Sequence, residues 1–183
     1  MKKVALLTVI LIIAAAAVWL SLYIGARRAN APTVDVSNFE ECVAAGNPVM
    51  ESYPRKCTAN GQTFTENIGN ELEKTGLIHL NSPRPNETVS SPLIVEGEAV
   101  GNWFFEASFP VFLVDWDGVI IAQGIATAQG DWMTENFVPF TATLTFDTAT
   151  STYSNRGALI LKKDNPSGLP ENDDALEIPV KIQ

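Results

Sequence analysis

Phe140-Thr141-Ala142-Thr143-Leu144-Thr145-Phe146 alternates four apolar side chains with three threonines. Successive side chains of a strand point to opposite faces, so this run reads as a strand buried on one side only. Near the C-terminus Leu176, Ile178, Val180 and Ile182 alternate in the same way with Glu177, Pro179 and Lys181. Proline cannot donate to a ladder, so Pro179 puts this run at a sheet edge or turns its amide position to solvent. Further strands are expected over residues 77–81, 93–99, 110–115, 119–127 and 157–163, which makes seven. Their separators are rich in turn residues, such as Asp117-Gly118, Asn155-Arg156-Gly157 and Asn165-Pro166-Ser167-Gly168. Seven short strands in about 108 residues with no helical period predict an all-β fold, an immunoglobulin-like antiparallel β-sandwich over residues 76–183. That stretch has no cysteine, so its core must rest on apolar packing. Val111, Leu113, Ile120, Ala122, Phe140, Leu144, Leu159 and Leu161 are the candidates, with Trp116 or Trp103 between the sheets.

Upstream the pattern changes. Val4 to Ile24 runs 21 residues without a charge, about 31 Å as a helix, which is one bilayer core. Trp19 and Tyr23 lie towards its end, and Lys2, Lys3, Arg27 and Arg28 bracket it, as expected of a membrane anchor. Ala29-Asn30-Ala31 fits the small-residue pattern of a signal-peptide cleavage site. The long apolar run, the two arginines before that site and Pro32 after it favour an uncleaved anchor. Residues 1–31 are therefore read as a transmembrane anchor with its flanks, the membrane being contacted through residues 4–24.

Residues 33–70 read as a small module. Ser37-Asn38-Phe39-Glu40 has the form of a capping box opening a short helix, which Gly46 and Pro48 end. Asn60-Gly61 supplies the positive φ values of a type I′ hairpin turn. Cys42 and Cys57, an even pair just beyond an apolar anchor, are expected to form a structural disulfide in an oxidising compartment. Closing a loop of about 15 residues is worth ~3 kcal/mol in the chain-entropy model, which matters in a unit too small for a large core. The expected topology is thus single-pass in the cell membrane, N-terminus inside and C-terminal domains extracytoplasmic. Between module and sandwich lies IGNELEKTG, residues 68–76, polar with glycine near both ends and read as a hinge.

Three resemblances attach to these segments. Residues 54–64, PRKCTANGQTF, resemble the central hairpin of Kazal-type protease inhibitors, whose rigid binding loops rest on more disulfides than this module can form. The longer segment FEECVAAGNPVMESYPRKC is similar to a short module of bacterial surface and secreted proteins. The most extensive likeness is in the sandwich: Ile78-His79-Leu80-Asn81-Ser82-Pro83, then Val89 to Ala99, then Phe105-Glu106-Ala107, Asp117-Gly118-Val119-Ile120, Trp132, Phe140 and Ile178-Pro179-Val180. These resemble the successive signatures of the Gmad2 domain, the immunoglobulin-like domain associated with bacterial spore germination. The resemblance covers residues 76–183 and implies an extracytoplasmic module with a binding or structural role and no defined catalytic residues.

The composition narrows function by exclusion. Twelve Lys and Arg against 21 Asp and Glu give a net charge of −9. Residues 1–31 hold four of the bases and no acid, leaving 8 against 21 for the remainder. Such an excess of acid argues against nucleic acid as a partner. One histidine and two cysteines are too few for most zinc or iron–sulfur sites, and no cofactor is expected. His79 has no nucleophile motif beside it and reads as a strand residue. Asp115-Trp116-Asp117-Gly118 begins like a calcium loop but lacks the later ligands. The acids of residues 164–174, Asp164, Glu171, Asp173 and Asp174, are either a calcium loop or a solvated loop. Trp103, Trp116 and Trp132 are the candidate ligand contacts, and whether they share one exposed face decides for or against a carbohydrate-binding surface. The function expected is non-enzymatic: a membrane-anchored, outward-facing bacterial envelope protein serving adhesion, assembly or envelope organisation, with an envelope protein or glycan as partner. The alternatives are a carbohydrate-binding module or an inhibitor-like surface protein.

Overall fold

The computed structural model describes residues 15–21, 23, 35–147 and 153–183. Of the expected anchor, residues 15–21 and 23 are helical and the rest lies outside the described residues. Among those described, no helix is long and apolar enough to cross a membrane.

Two β-structures follow. In the first, helix α1 (Phe39–Ala44) packs on a three-stranded antiparallel sheet of β1 (Val49–Met50), β2 (Lys56–Ala59) and β3 (Gln62–Thr65). Cys42 in α1 is bonded to Cys57 in β2, with their Cα atoms 6.0 Å apart, and both are fully buried beside Val36, Phe39 and Ala59. Asn60 and Gly61 take φ values of 52° and 77°, as the type I′ turn requires. The cap sits one residue later than the sequence pattern placed it. Asn38 is the N-cap and accepts from Glu41 N–H at 2.9 Å, while Glu41 reaches back to the Ser37 N–H and hydroxyl. Asparagine caps at least as well as serine, and starting at Asn38 puts both Phe39 and Cys42 on the buried face.

The second structure is the sandwich. A short helix α2 (Glu71–Lys74) leads to β4 (Ile78–Ser82), β5 (Thr88–Val89), β6 (Leu93–Val100), β7 (Ser108–Asp115), β8 (Ile120–Ala128), β9 (Phe137–Leu144), β10 (Arg156–Lys162) and β11 (Ala175–Ile182). The seven expected strands are all present. The eighth, β5, is two residues long and runs parallel to β11, so the sheet is not wholly antiparallel. The strand order is β4-β6-β9-β8-β7-β10-β11-β5. β8 and β9 pair only at Thr127↔Thr141 and Ala128↔Phe140, so the sheet folds over there into two layers joined at one corner.

Side chains of both layers meet inside. Phe140, Ala142, Leu144 and Phe146 are buried as the alternation predicts, and Leu176, Ile178 and Val180 likewise. Phe109 of one layer meets Phe140 of the other edge-on, with centroids 4.9 Å apart, a favoured aromatic geometry. Ile120 departs from expectation. A bulge in the β7–β8 pairing sets Leu113 opposite Ala122 but Val114 opposite Ile120. The extra residue, Ile121, breaks the period of two, so Ile120 turns outward and is 55% exposed. Of the two tryptophans considered for the core, Trp103 is fully buried there and Trp116 is outside.

The residues expected as a hinge are fastened instead. Asn70 N–H donates to Glu177 O at 3.1 Å, its side-chain oxygen accepts from Glu177 N–H at 2.8 Å, and its amide donates to Ala175 O at 2.9 Å. Further along the same edge of β11, Asn86 N–H donates to Pro179 O and Lys181 N–H donates to Glu87 O. The outer edge of β11 is thus covered residue by residue. Pro179 lies on it with its nitrogen facing away from β10, where no ladder bond is lost.

Gly69 makes this close approach possible. Its φ is +69°, and a Cβ there would lie 1.8 Å from Glu177 O. Gly46 has φ +77° with open space around it. A left-handed conformation costs a non-glycine residue ~1–2 kcal/mol. Gly46→Ala is therefore expected to lose about that much in urea denaturation, and Gly69→Ala clearly more because backbone must move. Equal losses would show that the Gly69 contact with β11 contributes nothing.

Candidate functional site

The outward face of the second layer is set by register. Leu113, Leu159 and Ile178 point into the core, so Val114, Ala158 and Pro179, their neighbours on β7, β10 and β11, point out. Ala158 pairs with Val114 on one side and Pro179 on the other. The three side chains form a small apolar row across the strands. This row floors an open groove of about 990 Å³.

One wall is the fastened segment, with Asn67, Gly69 and Asn70 beside Glu177. The other is the β7–β8 turn, carrying Asp115, Trp116 and Gly118, together with Tyr153 and Arg156 ahead of β10. Trp116 and Tyr153 lie with ring centroids 5.1 Å apart and planes tilted by 38°. They are 48% and 85% exposed. One carboxylate oxygen of Asp115 accepts from the N–H groups of Asp117 and Val119, which fixes the turn and so the position of Trp116. The Asp-Trp-Asp-Gly sequence is therefore a turn rather than the start of a calcium loop.

The wall of residues 67–70 is held from behind by charge. Glu66 and Glu71 are 6% and 7% exposed, and buried carboxylates need partners. Arg55 grips Glu66 through Nε at 2.8 Å and Nη2 at 2.5 Å, and Asn86 donates to Glu66 at 3.3 Å and to Asn67 O at 2.7 Å. Glu71 accepts from the Tyr53 hydroxyl and lies 2.7 Å from Arg84 Nη1. Arg84 also donates to the Tyr53 hydroxyl at 2.7 Å and to Leu80 O. Arg55 belongs to the segment that resembles an inhibitor hairpin, and Tyr53 immediately precedes it. Both side chains are half exposed, but their polar atoms are engaged by their own chain.

The other sequence candidates fall apart from the groove. Trp103 is fully buried, and its indole N–H has no acceptor among the described residues. Trp132 is half-buried against the core. The three tryptophans do not share an exposed face, because a short 3-10 turn (Gly101–Trp103) carries Trp103 into the core, and of the three only Trp116 lines the groove. His79 has Nδ1 3.0 Å from Glu98, Nε2 2.5 Å from Thr75 O, and its ring stacked on Phe137 at 4.5 Å. Neither nitrogen is left to act on a substrate. In the acidic loop, Asp174 pairs with Lys74 at 2.5 Å and Asp173 accepts from Asn165 at 2.9 Å. Among the described residues no three His, Cys, Asp or Glu gather as metal ligands. Sequence reading missed Tyr153, Arg156, Asn67, Asn70 and Glu177. The available signal was Glu177's outward place in the alternation; the others come from loops that only folding brings together.

A two-layer β-sandwich is the architecture of an immunoglobulin-like domain. Residues 77–168, just over half of the chain, match the family model of Gmad2, the immunoglobulin-like domain of bacterial spore germination, and the chain belongs to that family. Neither curated proteins nor solved structures gave a match.

The Arg55 hydrogen bonds hold the Glu66 carboxyl below its ordinary value of 4.5. A carboxyl whose folded value is depressed contributes stability that is complete above its unfolded value and is lost as pH falls through the folded one. The unfolding free energy of the native chain is therefore expected to fall more steeply between about pH 5 and about pH 3 than that of Glu66→Gln. Parallel pH profiles would remove Glu66 from the acid response.

Proposed function

We propose that this is a non-enzymatic bacterial envelope protein, anchored by residues 4–24, that holds a disulfide-closed module and a Gmad2 sandwich outside the membrane as one binding head. Family membership carries this reading, since an immunoglobulin-like domain supplies rigid surface and no defined catalytic residues. Three further facts support it. The disulfide suits an oxidising compartment. The segment after the module is fastened to β11 rather than swinging free. The groove beside it gathers exposed aromatic and polar side chains, which is the composition of a recognition surface.

Membrane fractionation of cells producing the full chain tests the anchor, and a surface cysteine tests the orientation. Met133 is 76% exposed, and no cysteine is free among the described residues. The full chain is expected to stay with the membrane through an alkaline wash, and the chain lacking residues 1–31 to appear in the soluble fraction. Met133→Cys is expected to react with a membrane-impermeant maleimide in unlysed spheroplasts. A full chain washed free, or labelling only after lysis, would overturn the reading.

A further inference from the structure

We propose that the groove between the fastened segment and the Trp116 turn binds a neutral glycan, a hexose or N-acetylhexosamine unit lying on Trp116 with Tyr153 against its edge. This rests on the reading of the chain as a non-catalytic binding protein and names the chemistry that it binds; the face of three tryptophans considered from the sequence does not form, since Trp103 is buried, and the site proposed is a different one, built on the pair Trp116 and Tyr153.

A sugar ring presents an apolar C–H face and a rim of hydroxyls that both donate and accept. It needs an aromatic plane beside polar groups of both kinds, held in fixed positions. The groove supplies each of these. Trp116 and Tyr153 offer two tilted, exposed rings 5.1 Å apart. Tryptophan and tyrosine carry large contact area on few rotatable bonds, so ordering them on binding costs little. The polar groups around them are open to a ligand. The Glu177 carboxylate and the Arg156 guanidinium make no hydrogen bond or ion pair among the described residues, Arg156 acting on Glu41 only through a longer-range attraction. Asp115 uses one carboxylate oxygen for its turn and keeps the other. The Asn67 side-chain oxygen accepts from Gly69 N–H, which leaves its amide as a donor.

Rigidity comes from beneath. The floor row belongs to three paired strands, and Asn70 ties the wall to β11 through three hydrogen bonds. Preorganisation of this kind removes an entropic cost of binding.

Other ligand classes fit less well. A peptide adding to a sheet needs an open strand edge. β7 and β10 are paired on both sides, and the outer edge of β11 is covered by Asn70, Asn86 and Glu87. A polyanion meets Glu177 and Asp115 in the groove and a net charge of −9 overall, which opposes its approach. A lipid tail would need an enclosed apolar cavity, whereas this groove is open with polar walls.

The test uses the full chain in a detergent without a sugar headgroup, titrated with cellohexaose and with chitohexaose while tryptophan fluorescence and binding heat are followed. A polyuronate is the acidic comparison. At least one neutral oligosaccharide is expected to bind, and Trp116→Ala and Tyr153→Ala are each expected to weaken it about tenfold or more with the unfolding midpoint nearly unchanged. Ile125→Ala, exposed on β8, is expected to bind as the native chain does. Chemical-shift changes at Glu177 and Arg156 are expected to appear with the same titration curve. Binding of neither neutral oligosaccharide, binding of the polyuronate alone, or undiminished binding by Trp116→Ala would each overturn the proposal. All of these are read on purified protein, so they stand or fall separately from anchoring and orientation.

Discussion

The outer edge of β11 is the constraint around which this molecule is arranged. A last strand leaves a row of N–H and C=O groups that must find partners or invite another chain. Here Asn70 takes the groups of Ala175 and Glu177, Asn86 takes Pro179, and Glu87 and β5 take the end of the strand. The partners come from the segment that enters the sandwich and from the turn after β4. Covering the edge therefore also fixes where the disulfide-bonded module must sit. Gly69 is placed where any side chain would meet the backbone of Glu177, so the approach is as close as the backbone allows.

Electrostatics follow from that closeness. Glu66 and Glu71 flank the fastened residues and are buried by the docking. A buried carboxylate is tolerable only when its lone pairs are met. Arg55 and Arg84 do so, one from the module and one from the sandwich, and each also lies over an aromatic ring, Phe39 and Tyr53. The Arg55–Glu66 pair lies within the module, and the links between the two parts are those of Asn86 to Glu66 and Asn67 and of Arg84 to Glu71 and Tyr53. Tyr53 and Arg55 stay half exposed, yet their polar atoms are spent on these two carboxylates. The groove is the outer consequence, a space between a wall that cannot swing and a turn pinned by Asp115.

Much of the sandwich is legible in the sequence because a strand buried on one face carries its own period. Phe140 to Phe146 and Leu176 to Val180 announce their inward side without reference to anything else. The seven strands, the Asn60-Gly61 turn and the Cys42–Cys57 bond are likewise local or pairwise properties. Reading fails where a single residue changes phase or where a partner is distant. Ile121 enters as a bulge and turns Ile120 outward, which no alternation count detects. Trp103 ends a short 3-10 turn that carries it into the core, whereas Trp116 tops a hairpin, and no alternation count covers either position. Asn70 reads as a linker residue because its hydrogen-bond partners lie more than a hundred residues away.

The sequence by itself determined the class of fold, the family resemblance, the disulfide and the excess of acid over base, all of which rest on composition, period or short spacing. Tertiary structure alone decided that the polar linker is a fastening, that only one of three candidate tryptophans meets the surface groove, and that Tyr153, Arg156 and Glu177 stand around it. The physical reason is that strand alternation is a property of the chain. A groove is a property of registers and edge contacts between segments far apart along it.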